Sequence, residues 1–197
     1  MKDAVEMQFS LCQFDTDASA ILAIFNHAIL HTTALYEYQP RTLETMQQWF
    51  AAKAAGAYPV WGLKNAAGQL VAFGSYGTFR AFPAFKYSVE HSIYVHPDHQ
   101  GLGYGHRVLQ QLIKSAELQG YHLLIGGIDA SNTASIALHQ KHGFVHCGTI
   151  QQAGFKFGRW LDLAFYQLLL RTPEQPMDGT AVIEPQAKMA ELAPLLS

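Results

Sequence analysis

The segment EHSIYVHPDHQGLGYG, residues 90–105, has the makings of an anion site. A β-rich run ends in a turn rich in Pro, Asp and Gly, with glycines at 101, 103 and 105, and an amphipathic helix follows. Glycines allow positive φ and close approach of a ligand to the main chain. Successive turn amides form an anion nest, and the helix start adds unpaired N–H groups and a positive dipole end. The predicted ligand is a phosphate or pyrophosphate. A dinucleotide fingerprint would need a third glycine at position 106, which is His106, and no Lys-Ser/Thr pair of a Walker A loop follows.

The elements that would position this loop can be read along the first 171 residues. Residues 5–13 alternate as a strand. Residues 17–30 repeat apolar positions at helical spacing behind Asp15 and Thr16 as N-cap candidates. Thr42 opens a second helix that Gly56 closes. Residues 59–64 and 69–76 read as a hairpin, 78–85 as an aromatic loop and 86–95 as a strand. Val108, Leu109, Leu112, Ile113 and Ala116 line one face of the helix after the glycines. Residues 121–128 read as a strand, 132–142 as a helix, and 144–151 and 160–170 as two closing strands. This order predicts an α+β (mixed α/β) domain over 1–171. Residues 172–197, with four of the eight prolines, read as a tail with a short helix near Lys188–Leu192.

Composition narrows the function class. The chain has 197 residues, 49% hydrophobic and 14% charged, with a formal net charge of −2. That excludes a disordered chain and a nucleic-acid binder held by charge. No apolar run approaches the roughly 20 residues of a membrane span, and the N-terminus lacks a signal-like apolar segment, so a cytoplasmic protein without membrane contact is expected. Cys12 and Cys147 sit in strand-like surroundings and read as buried free thiols; the ten histidines are scattered without metal-ligand spacing, so no metal is expected.

The pattern Gln100-x-x-Gly103-x-Gly105 resembles the Q/R-x-x-G-x-G/A signature of the GNAT acetyltransferases, whose loop holds the pyrophosphate of acetyl-CoA. Residues 129–144, DASNTASIALHQKHGF, are similar to the second GNAT motif, with Asn132 at its asparagine. Together with GFKFGRWLDL, these segments resemble the phosphinothricin and methionine sulfoximine/sulfone acetyltransferase branch from about Ala23 to Leu168. The resemblance implies a GNAT fold: a central, mostly antiparallel sheet of about seven strands, splayed at the cofactor site and flanked by about four helices. It further implies direct transfer from acetyl-CoA to a small amino-acid-like amine in a ternary complex, in a homodimer.

The resemblance also assigns roles. Direct transfer needs a base to free the attacking amine; Glu90, mid-strand among apolar residues, falls at the family's catalytic glutamate. Backbone groups of Ile93, Tyr94 and Val95 are expected along the pantetheine, with the Val95 amide at the developing oxyanion. Gln100, Gly101, Leu102, Gly103, Tyr104, Gly105 and His106 are expected at the pyrophosphate, Asn132 at the pantetheine or the local loop, and Lys141 at the phosphates. His139 stands where many relatives carry a proton-donating tyrosine. Arg80 is the candidate for a substrate carboxylate or oxyanion. The branch often has a second arginine two positions on, where this chain has Phe82; that departure favours a less polar substrate side chain. Tyr36 and Phe82 would wall the pocket, Thr32 and Thr33 would bond substrate, and the aromatic 78–85 loop suggests a small closed site. The alternatives are a non-catalytic acyl-CoA-binding module and a protein or peptide acetyltransferase.

Overall fold

The computed structural model describes residues 7–180 and 185–196. Seven strands form one sheet in the order β1-β2-β3-β4-β5-β7-β6: β1 (Met7–Leu11), β2 (Val60–Asn65), β3 (Leu70–Thr78), β4 (Ser88–Val95), β5 (Leu123–Asp129), β6 (Val145–Lys156) and β7 (Arg159–Leu169). Five helices accompany it: α1 (Phe14–His31), α2 (Leu43–Ala55), α3 (Tyr104–Leu118), α4 (Thr133–Lys141) and α5 (Pro185–Ala190). Every neighbouring pair is antiparallel except β4 and β5.

That parallel pair positions the site. β4 and β5 are in register only from Ser88 to Glu90 against Leu123 to Ile125. Beyond these residues β4 stays paired to β3 and β5 to β7, so the sheet opens down its middle. The His96 amide donates to the Val71 carbonyl at 2.8 Å, and the Phe79 amide to Ser88 at 3.4 Å. Main-chain groups alternate in direction along an antiparallel ladder. Even-numbered residues of β4 therefore bond β3, while Ile93 and Val95 present their N–H and C=O to the gap. Of the three β4 residues expected to serve through the main chain, Tyr94 is the one turned toward β3.

The two sheet faces carry separate cores. Phe73 and Tyr94 pack with Ile21, Ile24, Phe25 and Met46 from α1 and α2. Val71, Ala72 and Val89 pack with Val108, Leu109 and Leu112 of α3, the helix whose apolar stripe was plain in the sequence. Glu90 shares the face of Tyr94 and α1; His91 shares the face of α3 and α4.

Several boundaries differ from the sequence reading. α1 starts at Phe14 with Gln13 as N-cap, ahead of Asp15 and Thr16. Its first turn is closed from inside: the Asp17 carboxylate accepts from the Gln13 amide at 2.9 Å and from the Thr16 hydroxyl at 2.7 Å. Thr42 caps α2 through reciprocal bonds with Thr45. β6 runs to Lys156, beyond the expected 151, because an almost fully exposed edge strand shows no apolar alternation. Cys12 is buried and its thiol is pushed up to about 12, but Cys147 is exposed. The part of the first predicted strand before Met7 lies outside the described residues.

The C-terminal segment packs on the body. Leu192 is fully buried in the α3-side core, Lys188 donates to the Tyr121 hydroxyl at 2.9 Å, and Gln119 donates to the Lys188 carbonyl. The short helix is α5, Pro185–Ala190, followed by a single 3₁₀ turn over Ala193–Leu195.

Candidate active site

A cleft of about 580 Å³ follows the opening between β4 and β5. Ser92 to Val95 form one wall and Gly126 to Asp129 the other; Ile24, Ala28 and Thr32 close it on the α1 face, and Asn132, Leu138 and His139 on the α4 face. Gln100, Gly101, Gly103, Tyr104, Gly105 and His106 line it as well, so the strand opening and the glycine loop form one continuous surface. Gly103 is the N-cap of α3 at φ +81°, a left-handed conformation that explains a glycine there. Leu102, at 59% exposed, does not line the cleft.

Glu90 sits where the two strands part. A Cβ placed on Gly127 would lie 2.9 Å from Glu90 Oε1, so the carboxyl rests directly on the bare backbone of β5. Burial holds this carboxyl above the usual carboxylate range, and the Arg80 guanidinium pulls it partly back. Arg80 is itself exposed.

On the opposite face, His91 and His139 form a buried pair. Their Nε2 atoms are 2.9 Å apart, and His139 Nδ1 is 2.7 Å from the Ser135 carbonyl. A carbonyl only accepts, so Nδ1 carries the His139 proton. Burial lowers the affinity of both rings for a second proton, that of His91 to about 3. In the neutral pair, His139 Nε2 is then an acceptor facing His91 Nε2. His139 thus keeps its proton on Nδ1, against Ser135, and turns Nε2 toward His91. The rings lie against Gly126, where a Cβ would meet His139 Nε2 and His91 Cε1 at 3.1 Å.

The pair has a measurable signature. Both rings stay neutral in the fold but bind protons near pH 6.5 once unfolded. Stability from the pair is present above about pH 6.5 and falls as pH drops toward the folded values, by up to about 1.4 kcal/mol per pH unit for each ring. Replacing both, as His91→Leu with His139→Leu, should flatten Tm against pH between about 6.5 and 4.5 relative to the parent. An unchanged slope would show that the pair is charged in the fold.

Asn132 acts as the N-cap of α4, its side-chain oxygen accepting from the Ser135 amide at 3.0 Å. Thr32 bonds back to the Ala28 carbonyl at 2.7 Å.

Residues 23–144 match the profile of the acetyltransferase (GNAT) family. The chain belongs to that family. An L-methionine sulfoximine/L-methionine sulfone acetyltransferase of Pseudomonas paraeruginosa is 46% identical over 154 residues, 78% of this chain and 90% of that protein. The L-amino acid N-acyltransferase MnaT of Escherichia coli K12 is 43% identical over 160 residues, 81% of this chain and 92% of its own length. Among solved structures, a GNAT-superfamily phosphinothricin acetyltransferase from Sinorhizobium meliloti in complex with acetyl-CoA superposes with a TM-score of 0.83 at 30% identity, covering 88% of this chain and 94% of that one.

Within this GNAT acetyltransferase, some sequence candidates lie away from the cleft. Lys141 is exposed and is not among the lining residues. Phe82 is 71% and Phe85 40% exposed, and neither is among the lining residues. Tyr36 lies over Gly154 of β6, whose missing side chain leaves room for its ring. Other residues of consequence went unremarked in the sequence. Gly126 and Gly127 clear β5 for the groups of β4, and adjacent glycines within a strand are a signal of close approach. Lys156, reaching from β6, donates to the carbonyls of Ile29, Thr32 and Leu35 at 2.7, 3.0 and 2.6 Å, fastening the segment after α1 that carries Thr32 and Thr33. No sequence signal distinguishes Lys156 from a surface lysine. Among the described residues, no group of three or more His, Cys, Asp or Glu could hold a metal ion, and no helix is long and apolar enough to cross a membrane.

Proposed function

We propose that the protein moves an acetyl group from acetyl-CoA to the amine of a small amino-acid-like substrate by direct transfer in a ternary complex. One observation carries this reading: the sheet opens at Glu90, the main chains of Ile93 and Val95 line the opening, and the opening runs into the glycine loop at the start of α3. The loop and first turn of α3 suit a pyrophosphate, and the two β4 residues suit the amides of a pantetheine arm. Acetyl-CoA supplies an activated acetyl thioester. Glu90 takes a proton from the substrate ammonium, freeing the nitrogen lone pair. The nitrogen bonds to the acetyl carbon as the carbon–sulfur bond breaks, its second proton passes to the departing thiolate or to water, and the Val95 amide meets the negative charge that develops on the carbonyl oxygen. A thiolate of ordinary pKa near 8.5 leaves without a dedicated acid.

Arg80, beside Glu90 electrostatically, suits the substrate carboxylate or an oxyanion. The names of the relatives support L-amino acids, methionine sulfone and sulfoximine, or phosphinothricin as the class. Phe82 in place of a second arginine favours the less polar among them. The reading includes a cytoplasmic location and a homodimer, the latter supported by the bare apolar residues of β6 and β7: Ile150, Phe155 and Trp160 are 53%, 48% and 60% exposed. A thiol-release assay over free amino acids and their sulfone, sulfoximine and phosphinic analogues tests the function. Turnover on at least one of them is expected. Tight acetyl-CoA binding with no turnover on any would overturn it in favour of a binding module or a protein acetyltransferase.

A further inference from the structure

Asp129, the last residue of β5, lines the cleft at 5% exposure. Its Oδ1 accepts from the Ser131 amide and hydroxyl, both at 2.8 Å, and so orders the turn into α4. Its Oδ2 is shielded from solvent and has no hydrogen-bond partner. The Thr33 side chain also favours the anion. Burial alone would raise this carboxyl, but the Thr33 and Ser131 groups and the charge of Arg159 outweigh it, leaving the group below the usual range and charged at neutral pH. A buried anionic oxygen without a donor is costly, and the turn requires only Oδ1.

Asp129 and Gly127 are two residues apart and share a sheet face, the face that bears Glu90. Asp129 is thus the next residue along that face, about 7 Å of strand from the one on which the Glu90 carboxyl rests. The two acids are set apart by environment: burial raises Glu90, while its bonds and the charge of Arg159 hold Asp129 below the usual range. The group that suits Oδ2 is a small cation with N–H donors, arriving on the α1 face of the cleft.

We propose that Asp129 binds the substrate's ammonium group and presents it to Glu90. This rests on the amino-acid acetyltransferase reading above and names the subsite that holds the amine. No bond is made or broken at Asp129; the ammonium proton passes to Glu90.

Asp129→Asn tests it, because asparagine keeps the Oδ1 acceptor for Ser131 and replaces only the charged, unpartnered oxygen. The KM for the best amino acid is expected to rise at least about tenfold, as when a charge-assisted hydrogen bond is lost, with the KM for acetyl-CoA within about twofold. The inhibition constant of the desamino analogue, with the same carboxylate and side chain and hydrogen in place of the ammonium, is expected to stay within about twofold. An unchanged amine KM, a rise confined to acetyl-CoA, or equal loss of the desamino analogue would each overturn the assignment. Should the asparagine variant not fold, Asp129→Ser retains an acceptor for the turn and is read in the same way. A parent enzyme that acetylates no amino acid overturns the underlying reading instead, so the two failures are distinct.

Discussion

Glu90→Gln should lower kcat by about 10²- to 10⁴-fold, the range expected for loss of a general base, while acetyl-CoA still binds. Glutamine fills nearly the same volume over Gly127 and takes no proton from an ammonium. Fold damage is a poor explanation for such a loss. Burial raises the Glu90 carboxyl, so the folded state holds its proton to higher pH than the unfolded chain does, and ionised Glu90 costs stability as pH rises through the folded value. The glutamine variant should therefore melt at or above the parent temperature near neutral pH. The same carboxyl sets the pH dependence of the parent, whose kcat/KM should rise with pH as Glu90 ionises. Arg80→Ala should move that rising limb to higher pH, because the arginine charge opposes the effect of burial. Unchanged turnover in Glu90→Gln would remove Glu90 from the mechanism.

Gly127→Ala should lower kcat by about 10- to 100-fold with acetyl-CoA binding retained. Its new methyl would stand 2.9 Å from Glu90 Oε1, too close to coexist, so the carboxylate must leave its seat. Misplacing a catalytic group by about 1 Å can cost on the order of 10²-fold. The other neighbours are tolerant: Leu163 Cδ1 at 3.4 Å and Phe165 Cε1 at 3.7 Å are ordinary contacts. Alanine in a strand also avoids roughly 0.5–1 kcal/mol of the backbone entropy lost by glycine, so Tm should hold. Gly126→Ala is the informative contrast. Its methyl would press on the packed rings of His91 and His139, on the face away from Glu90, and its effect should appear in Tm before kcat. Equal loss of kcat in the two alanine variants, measured at saturating substrates, would refute the seat.

Where one segment carries its own pattern, the sequence was informative. The stripe Val108-Leu109-Leu112-Ala116 implied a helix buried on one face, and Thr42 with Gly56 framed α2. The glycine loop stood out because the conformation demanded of it is local. What stayed hidden depends on partners distant in the chain. Gly127 has meaning only once Glu90, 37 positions earlier, lies on the neighbouring strand. The pairing of His139 with His91, 48 positions away, exists only in the folded chain. Asp129 read as part of an asparagine motif because its orphan oxygen exists only inside a cleft. Gln13 carries no cap signal because its side chain makes no capping bond; the carboxylate of Asp17, four residues on, closes the turn instead.

The parting of β4 from β5 creates two strand edges in the interior of a sheet, where edges are otherwise found only at the rim. Under the proposed function, the extended arm of acetyl-CoA fills that gap as a removable eighth strand. The amides of Ile93 and Val95 would then exchange hydrogen rapidly in the free protein and slowly when it is loaded. The melting temperature would also report the metabolite: a ligand at 100 times its Kd adds about 2.7 kcal/mol to the folded state. Cellular acetyl-CoA would in this way govern how long the enzyme survives proteolysis as well as how fast it turns over.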